Sequence, residues 1–172
     1  MMRPAPVEAL IALGSNLGDR RAHLDAAVDA LRHAPGIELM AVSSYHETVP
    51  QGGPPQGLYL NAALLCRTAL EPDELLGLLL RIERSRGRVR SVRNGPRVLD
   101  LDLVLYGEEA VQEPSLEVPH PRAHERLFVL EPAAEVAPHL RHPLLGQTVR
   151  ELLAGLRARQ GSVSYRGERC CE

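Results

Sequence analysis

Apolar and polar positions alternate along this chain in two periods, and the changes between them predict its elements. Val7 to Leu13 reads as a first strand, ending at the turn Gly14-Ser15-Asn16-Leu17-Gly18. A helix follows: Asp19 is suited to its N-cap, Leu24, Ala27, Val28 and Leu31 form a core-facing stripe, and Pro35-Gly36 stops it. Ile37 to His46 and Tyr59 to Thr68 read as second and third strands. From Pro72 to about Arg86 a second helix starts with proline at its first position, carries Asp73 and Glu74 in its first turn, and presents Leu75, Leu76, Leu79 and Ile82 to a core. Leu99, Leu101, Leu103 and Leu105 then alternate with Asp100, Asp102, Val104 and Tyr106, which predicts a strand with one apolar face and one face bearing two carboxylates. A short hairpin near Ala110 to Val111 comes next, and a last helix begins at the capping box of Thr148 and Glu151 and runs to about Arg159.

Strand, helix, strand, strand, helix, strand is the order of a ferredoxin-like α+β sandwich with a mixed or antiparallel sheet, its helices expected on one sheet face. One domain over residues 1–160 is expected, followed by a disordered tail at 161–172. With 172 residues, 44% hydrophobic and 24% charged, the chain can bury a substantial core.

Composition narrows the chemistry. A formal net charge of −2 argues against a general nucleic-acid binder. The chain contains no lysine, which excludes a Walker-type phosphate loop. Cys66, Cys170 and Cys171 have neither zinc spacing nor a disulfide framework. No signal peptide and no membrane-spanning apolar run is apparent, so a cytoplasmic monomer is expected.

Two aspartates one step apart on a strand face sit roughly 7 Å from each other and repel by about 2 kcal/mol at an effective dielectric near 20. A hard cation such as Mg²⁺ would remove that penalty; a solvated outer face is the simpler alternative. Arg81, Arg84, Arg86, Arg88, Arg90, Arg93 and Arg97 precede the pair, with Glu83 the only acid among them. A helix C-terminus accounts for Arg84 and Arg86, but Arg88, Arg90, Arg93 and Arg97 lie beyond Gly87, and such a cluster beside two carboxylates suggests a polyphosphate. The connector Glu47 to Leu58, E-T-V-P-Q-G-G-P-P-Q-G-L, is expected to be a mobile surface loop, either a binding loop or a tolerated insertion. Asn61 interrupts an apolar strand; it either faces water at an edge or reads a flat polar ligand beside the Tyr59 ring. His120, Arg126 and the only phenylalanine, Phe128, fall close enough together to serve a nucleotide or an aromatic ligand. The Gly14-Ser15-Asn16 turn could hold an anion, although backbone geometry alone explains it more simply.

G-S-N-L-G, Y-L-N-A-A, G-R-V-R, G-P-R-V-L-D-L-D-L-V-L-Y-G and V-P-H-P-R-x-x-x-R-x-F-V-L occur in an order and spacing that resembles the 6-hydroxymethyl-7,8-dihydropterin pyrophosphokinases of folate biosynthesis, over Val7 to about Leu156. The resemblance implies transfer of pyrophosphate from ATP to the hydroxymethyl group of the pterin, leaving AMP. It implies that Asp100 and Asp102 hold two Mg²⁺ ions, and that Thr48, Tyr59, Asn61 and Phe128 form the pterin pocket. It places Glu83, Arg90, Arg97, His120 and Arg126 on ATP, with Arg88 in the same closing loop; Arg88, Arg90, Arg97 and Asp100 would serve the chemical step. Leu80, Asn94, Pro121 and Val49 depart from the better-known pattern of the family. A ferredoxin-like nucleic-acid module and a two-metal nuclease are the alternatives; the first fares poorly because aromatic residues, needed to stack bases, make up only 3% of the chain.

Overall fold

The computed structural model describes residues 5–50, 56–87 and 96–160. Arg88, Arg90, the arginine loop to Gly95 and the expected tail lie outside the described residues, as does the centre of the Glu47 to Leu58 connector. The described elements are β1 (Val7–Ser15), α1 (Arg20–His33), β2 (Ile37–Val42), β3 (His46–Thr48), β4 (Tyr59–Thr68), α2 (Pro72–Ser85), β5 (Asp100–Tyr106), β6 (Val111–Glu113), β7 (Leu116–Val118), a 3-10 turn (Ala123–Glu125), α3 (Leu127–Val136) and α4 (Val149–Gln160).

The helices start where side chains can satisfy their free N–H groups. Asp19 Oδ1 accepts from Ala22 N at 3.1 Å ahead of α1, and Glu74 Oε1 accepts from Glu71 N at 2.7 Å across the first turn of α2. Thr148 and Glu151 cap α4 reciprocally at 3.2 and 2.8 Å. Gly87 ends α2 with φ of +86°, a conformation that costs glycine little.

The main sheet has the order β2–β4–β1–β5, with β3 also on β4, and every pairing is antiparallel. With α1 and α2 in their places this is the ferredoxin-like arrangement. The strand expected over Ile37 to His46 divides in two at Ser43. Ser43 N donates to Ala63 O at 2.9 Å, while Ser43 Oγ accepts from Ala63 N at 2.9 Å. The hydroxyl thus takes the place of a backbone carbonyl, and β3 resumes on β4 opposite Tyr59, Leu60 and Asn61.

Helices cover both sheet faces, not one. Ala9, Ile11 and Leu13 of β1 point toward α1 and α2, whose Leu24, Leu31, Leu75 and Leu79 are fully buried. Leu10 of β1 and Ala63 and Leu65 of β4 point the other way, into a second core with α3 and α4. The unbroken apolar runs of β1 and β4 are the physical cause, since a strand buried on both faces loses its polar alternation.

The alternation of β5 is broken once. Leu105 pairs with Leu10 but Leu103 with Ile11, so Val104 is the extra residue of a bulge. Tyr106 is thereby turned to the α1–α2 side, where its hydroxyl donates to Leu70 O, instead of sharing the face of the aspartates.

Candidate active site

On the second face, a pocket of about 330 Å³ opens between the ends of β1, β4 and β5, the start of α3 and the strand β3. Its floor is made by small residues of the central strand. Gly14 pairs with Asn61 on one side and Asp100 on the other; Ala12 pairs likewise with Ala63 and Asp102. A Cβ on Gly14 would meet Asn61 Oδ1 at 3.0 Å and the Tyr59 ring at 3.7 Å, so the glycine is what lets Asn61 lie flat over β1.

Thr48, Tyr59, Asn61 and Phe128 line one half of this pocket. Asn61 is 7% exposed and its Nδ2 donates to Thr48 Oγ1 at 2.5 Å, which fixes the carboxamide orientation. Opposite, the Arg126 guanidinium lies 5.5 Å from the Phe128 ring centroid, a cation–π contact that orients both side chains.

Arg97, Asp100, Asp102, His120 and Arg126 line the other half. Burial, then the Asp100 carboxylate and then that of Glu83 push Asp102 up to about 8 from 3.8; a hydrogen bond with Asp100 adds to this, and Arg126 opposes it. With no cation beside it, the Asp102 carboxyl therefore favours its protonated form and bonds Asp100. His120 is carried alongside β5 by its own N–H, which donates to Val104 O at 3.0 Å. Burial, followed by the charge of Arg126, holds His120 below the usual imidazole range, against Asp100 and Glu117. Its Nδ1 accepts from Arg122 N at 3.1 Å, which assigns the ring proton to Nε2 and leaves His120 a neutral hydrogen-bond donor.

Among the described residues, Glu83 is the expected site residue that the structure does not bring into the pocket. It is 2% exposed, and its Oε2 accepts from Leu101 N at 2.6 Å, fixing the backbone of the edge strand between the two aspartates. Its carboxylate acts on Asp102 from the open edge of β5.

Asn16 carries more than a turn conformation explains. Its Oδ1 accepts from Arg97 N at 2.8 Å, its N donates to Arg97 O at 3.0 Å, and its Nδ2 donates to Gln56 Oε1 at 2.6 Å. It thus joins the segment entering β5 to the segment entering β4, and the G-S-N sequence was its only local signal.

Two carboxyls lining one pocket are a donor set suited to a hard divalent cation. Among the described residues no group of three or more His, Cys, Asp or Glu side chains is placed to hold a metal, so a Mg²⁺ here would complete its shell with water and phosphate oxygens, as that ion commonly does. No helix among the described residues is long and apolar enough to cross a membrane.

An antiparallel α+β domain with an acidic pair facing cations in one half of its pocket, and a ring-and-amide slot in the other, has the parts of a small transferase acting on a polyphosphate. The profile of the 7,8-dihydro-6-hydroxymethylpterin-pyrophosphokinase (HPPK) family matches residues 10–138, and the chain belongs to that family. It is 48% identical over 128 residues to the 2-amino-4-hydroxy-6-hydroxymethyldihydropteridine pyrophosphokinase of Bacillus subtilis, covering 74% of this chain and 77% of that one. With the enzyme of that name from Methylorubrum extorquens it shares 46% over 148 residues, covering 86% and 92%. Among solved structures, the HPPK-DHPS protein of Plasmodium falciparum superposes with a TM-score of 0.70 at 14% identity, covering 90% of this chain. The chain spans 45% of that longer protein, and the likeness bears on the fold.

Proposed function

We propose that this protein transfers the pyrophosphoryl group of ATP to the hydroxymethyl group of 6-hydroxymethyl-7,8-dihydropterin, giving AMP and the pterin diphosphate in tetrahydrofolate biosynthesis. The observation that carries the reading is that the Asp100–Asp102 pair and the Asn61–Tyr59–Phe128 slot open into one pocket on either side of Gly14. Neither the nuclease nor the nucleic-acid alternative accounts for such a slot.

In this reading Tyr59 and Phe128 sandwich the bicycle, and Asn61, aligned by Thr48, reads its polar edge. The substrate hydroxyl then points at the acidic pair. Its oxygen forms a bond to the β-phosphorus of ATP while the bond from that phosphorus to the α–β bridging oxygen breaks; AMP leaves with the electron pair, and the hydroxyl proton is accepted at Asp100. Two Mg²⁺ ions held by Asp100 and Asp102 would neutralise phosphate charge and align the reacting oxygens. His120 donates its Nε2–H to a phosphate oxygen, and Arg97 and Arg126 supply fixed positive charge. Arg88 and Arg90 are assigned to the same phosphates by family resemblance. Such a transition state spreads charge over phosphate oxygens, so positioning and cations do most of what catalysis requires. The protein works as a cytoplasmic monomer.

The test is AMP release from ATP and Mg²⁺, followed with and without hydroxymethyldihydropterin. Pterin-dependent AMP is expected; AMP at an equal rate without pterin, or none with it, overturns the proposal.

A further inference from the structure

His46, Ser44 and Glu135 form a polar cluster away from the phosphate half of the pocket. His46 Nε2 donates to Glu135 Oε2 at 2.6 Å, Ser44 N donates to Oε1 at 2.8 Å, and Ser44 Oγ lies 3.0 and 2.9 Å from the two oxygens. Although partial burial pulls the Glu135 carboxyl up, the bonds from Ser44 and His46 outweigh it and hold the group below the usual range. This is not a nucleophile relay. A serine–histidine–carboxylate relay uses opposite ring nitrogens, whereas Ser44 Oγ and Glu135 Oε2 both approach Nε2, at 3.2 and 2.6 Å.

The cluster's place in the fold gives it a different task. His46 is the cross-strand partner of Asn61, and Thr48 of the same short strand bonds the Asn61 side chain. Glu135 lies seven residues after Phe128 in α3, two turns along the same helix face, roughly 10 Å away. One end of the contact is therefore fixed to the amide that faces the slot and the other to the helix that presents the ring. β3 is three residues long and pairs with β4, and the His46–Glu135 contact links it to α3 through side chains.

We propose that His46 and Glu135 are positioning residues for the pterin slot: their contact sets the separation between the Thr48–Asn61 edge reader and the Phe128 ring. The proposal rests on the reading of that slot as the pterin site.

The test is calorimetric titration of Glu135→Ala, His46→Ala, the double variant and the conservative Glu135→Gln. Each is titrated with a non-hydrolysable ATP analogue and Mg²⁺, then with hydroxymethyldihydropterin in its presence, and thermal unfolding is recorded alongside. Each alanine variant should weaken pterin binding by about tenfold, as a misplaced pocket wall does, and nucleotide binding by less than about twofold. Glu135→Gln should recover part of the loss, because its carbonyl oxygen still accepts from Ser44 N. The double variant should bind pterin no more weakly than the weaker single one, since both break the same contact. Lowered melting with unchanged pterin affinity, equal losses for both ligands, or additive losses overturn the proposal, leaving a stability staple only. A wild-type protein that binds nucleotide but not pterin would instead overturn the slot reading beneath it.

Discussion

Replacing Asp102 with asparagine should make the metal-free protein more stable while removing its activity. The carboxyl titrates at 3.8 in the absence of its surroundings and is pushed up to about 8 in the folded protein. Between those values the folded state keeps a proton that the unfolded chain has released. Stability from this group is therefore full below the lower value, and it declines by about 1.4 kcal/mol per pH unit until the folded carboxyl ionises. The whole interval sets a ceiling of about 6 kcal/mol. Asp102 is only half-buried, so pocket water screens its charge. A realised cost of about 1–3 kcal/mol at pH 8 follows. Asparagine has the same shape, carries no charge and can still donate to Asp100. At about 2–4 °C per kcal/mol for a domain of this size, Asp102→Asn should melt roughly 2–12 °C higher at pH 8 in the presence of a chelator. The gain should shrink several-fold at pH 5, and kcat should fall by orders of magnitude. A variant melting at or below wild type at pH 8, or a gain independent of pH, would refute the reasoning.

Asn61→Ala should weaken pterin binding by about 1–3 kcal/mol with little change for ATP, because a buried ligand edge loses its partner; calorimetry of each ligand checks this. Gly14→Ala places a methyl 3.0 Å from Asn61 Oδ1, so it should raise the pterin KM more than the ATP KM in steady-state assays. Glu83→Ala leaves the Leu101 N–H without its acceptor and should cost about 1–3 kcal/mol in denaturant unfolding together with a loss of kcat; Glu83→Gln, which can still accept, should recover most of the stability.

Local pattern made the main elements legible. The bounds of β4 match the run Tyr59 to Thr68, α1 and α2 follow their apolar stripes, and the D-x-D alternation put both carboxylates on one face of β5. Nine expected site residues, from Thr48 to Phe128, line a single pocket. What was not legible depends on contacts between distant segments. The period of two cannot register the bulge at Val104, which arises from pairing with Leu10 and Ile11. Ser43 breaks a strand only because Ala63 lies opposite. Glu83 looks like one more charge on a helix end until α2 is laid against β5. Asn16 and Glu135 bond partners 81 and 91 residues away, separations at which sequence pattern carries no signal.

The most direct test of the account uses ATP radiolabelled at the γ-phosphate, incubated with Mg²⁺, hydroxymethyldihydropterin and either wild-type protein or Asp100→Ala. With wild type, label should appear in the pterin diphosphate in step with AMP, with no burst of free phosphate, and with Asp100→Ala it should remain in ATP. Label released as inorganic phosphate, ADP in place of AMP, or undiminished transfer by Asp100→Ala would contradict the claim that this pocket moves a pyrophosphoryl group as a unit.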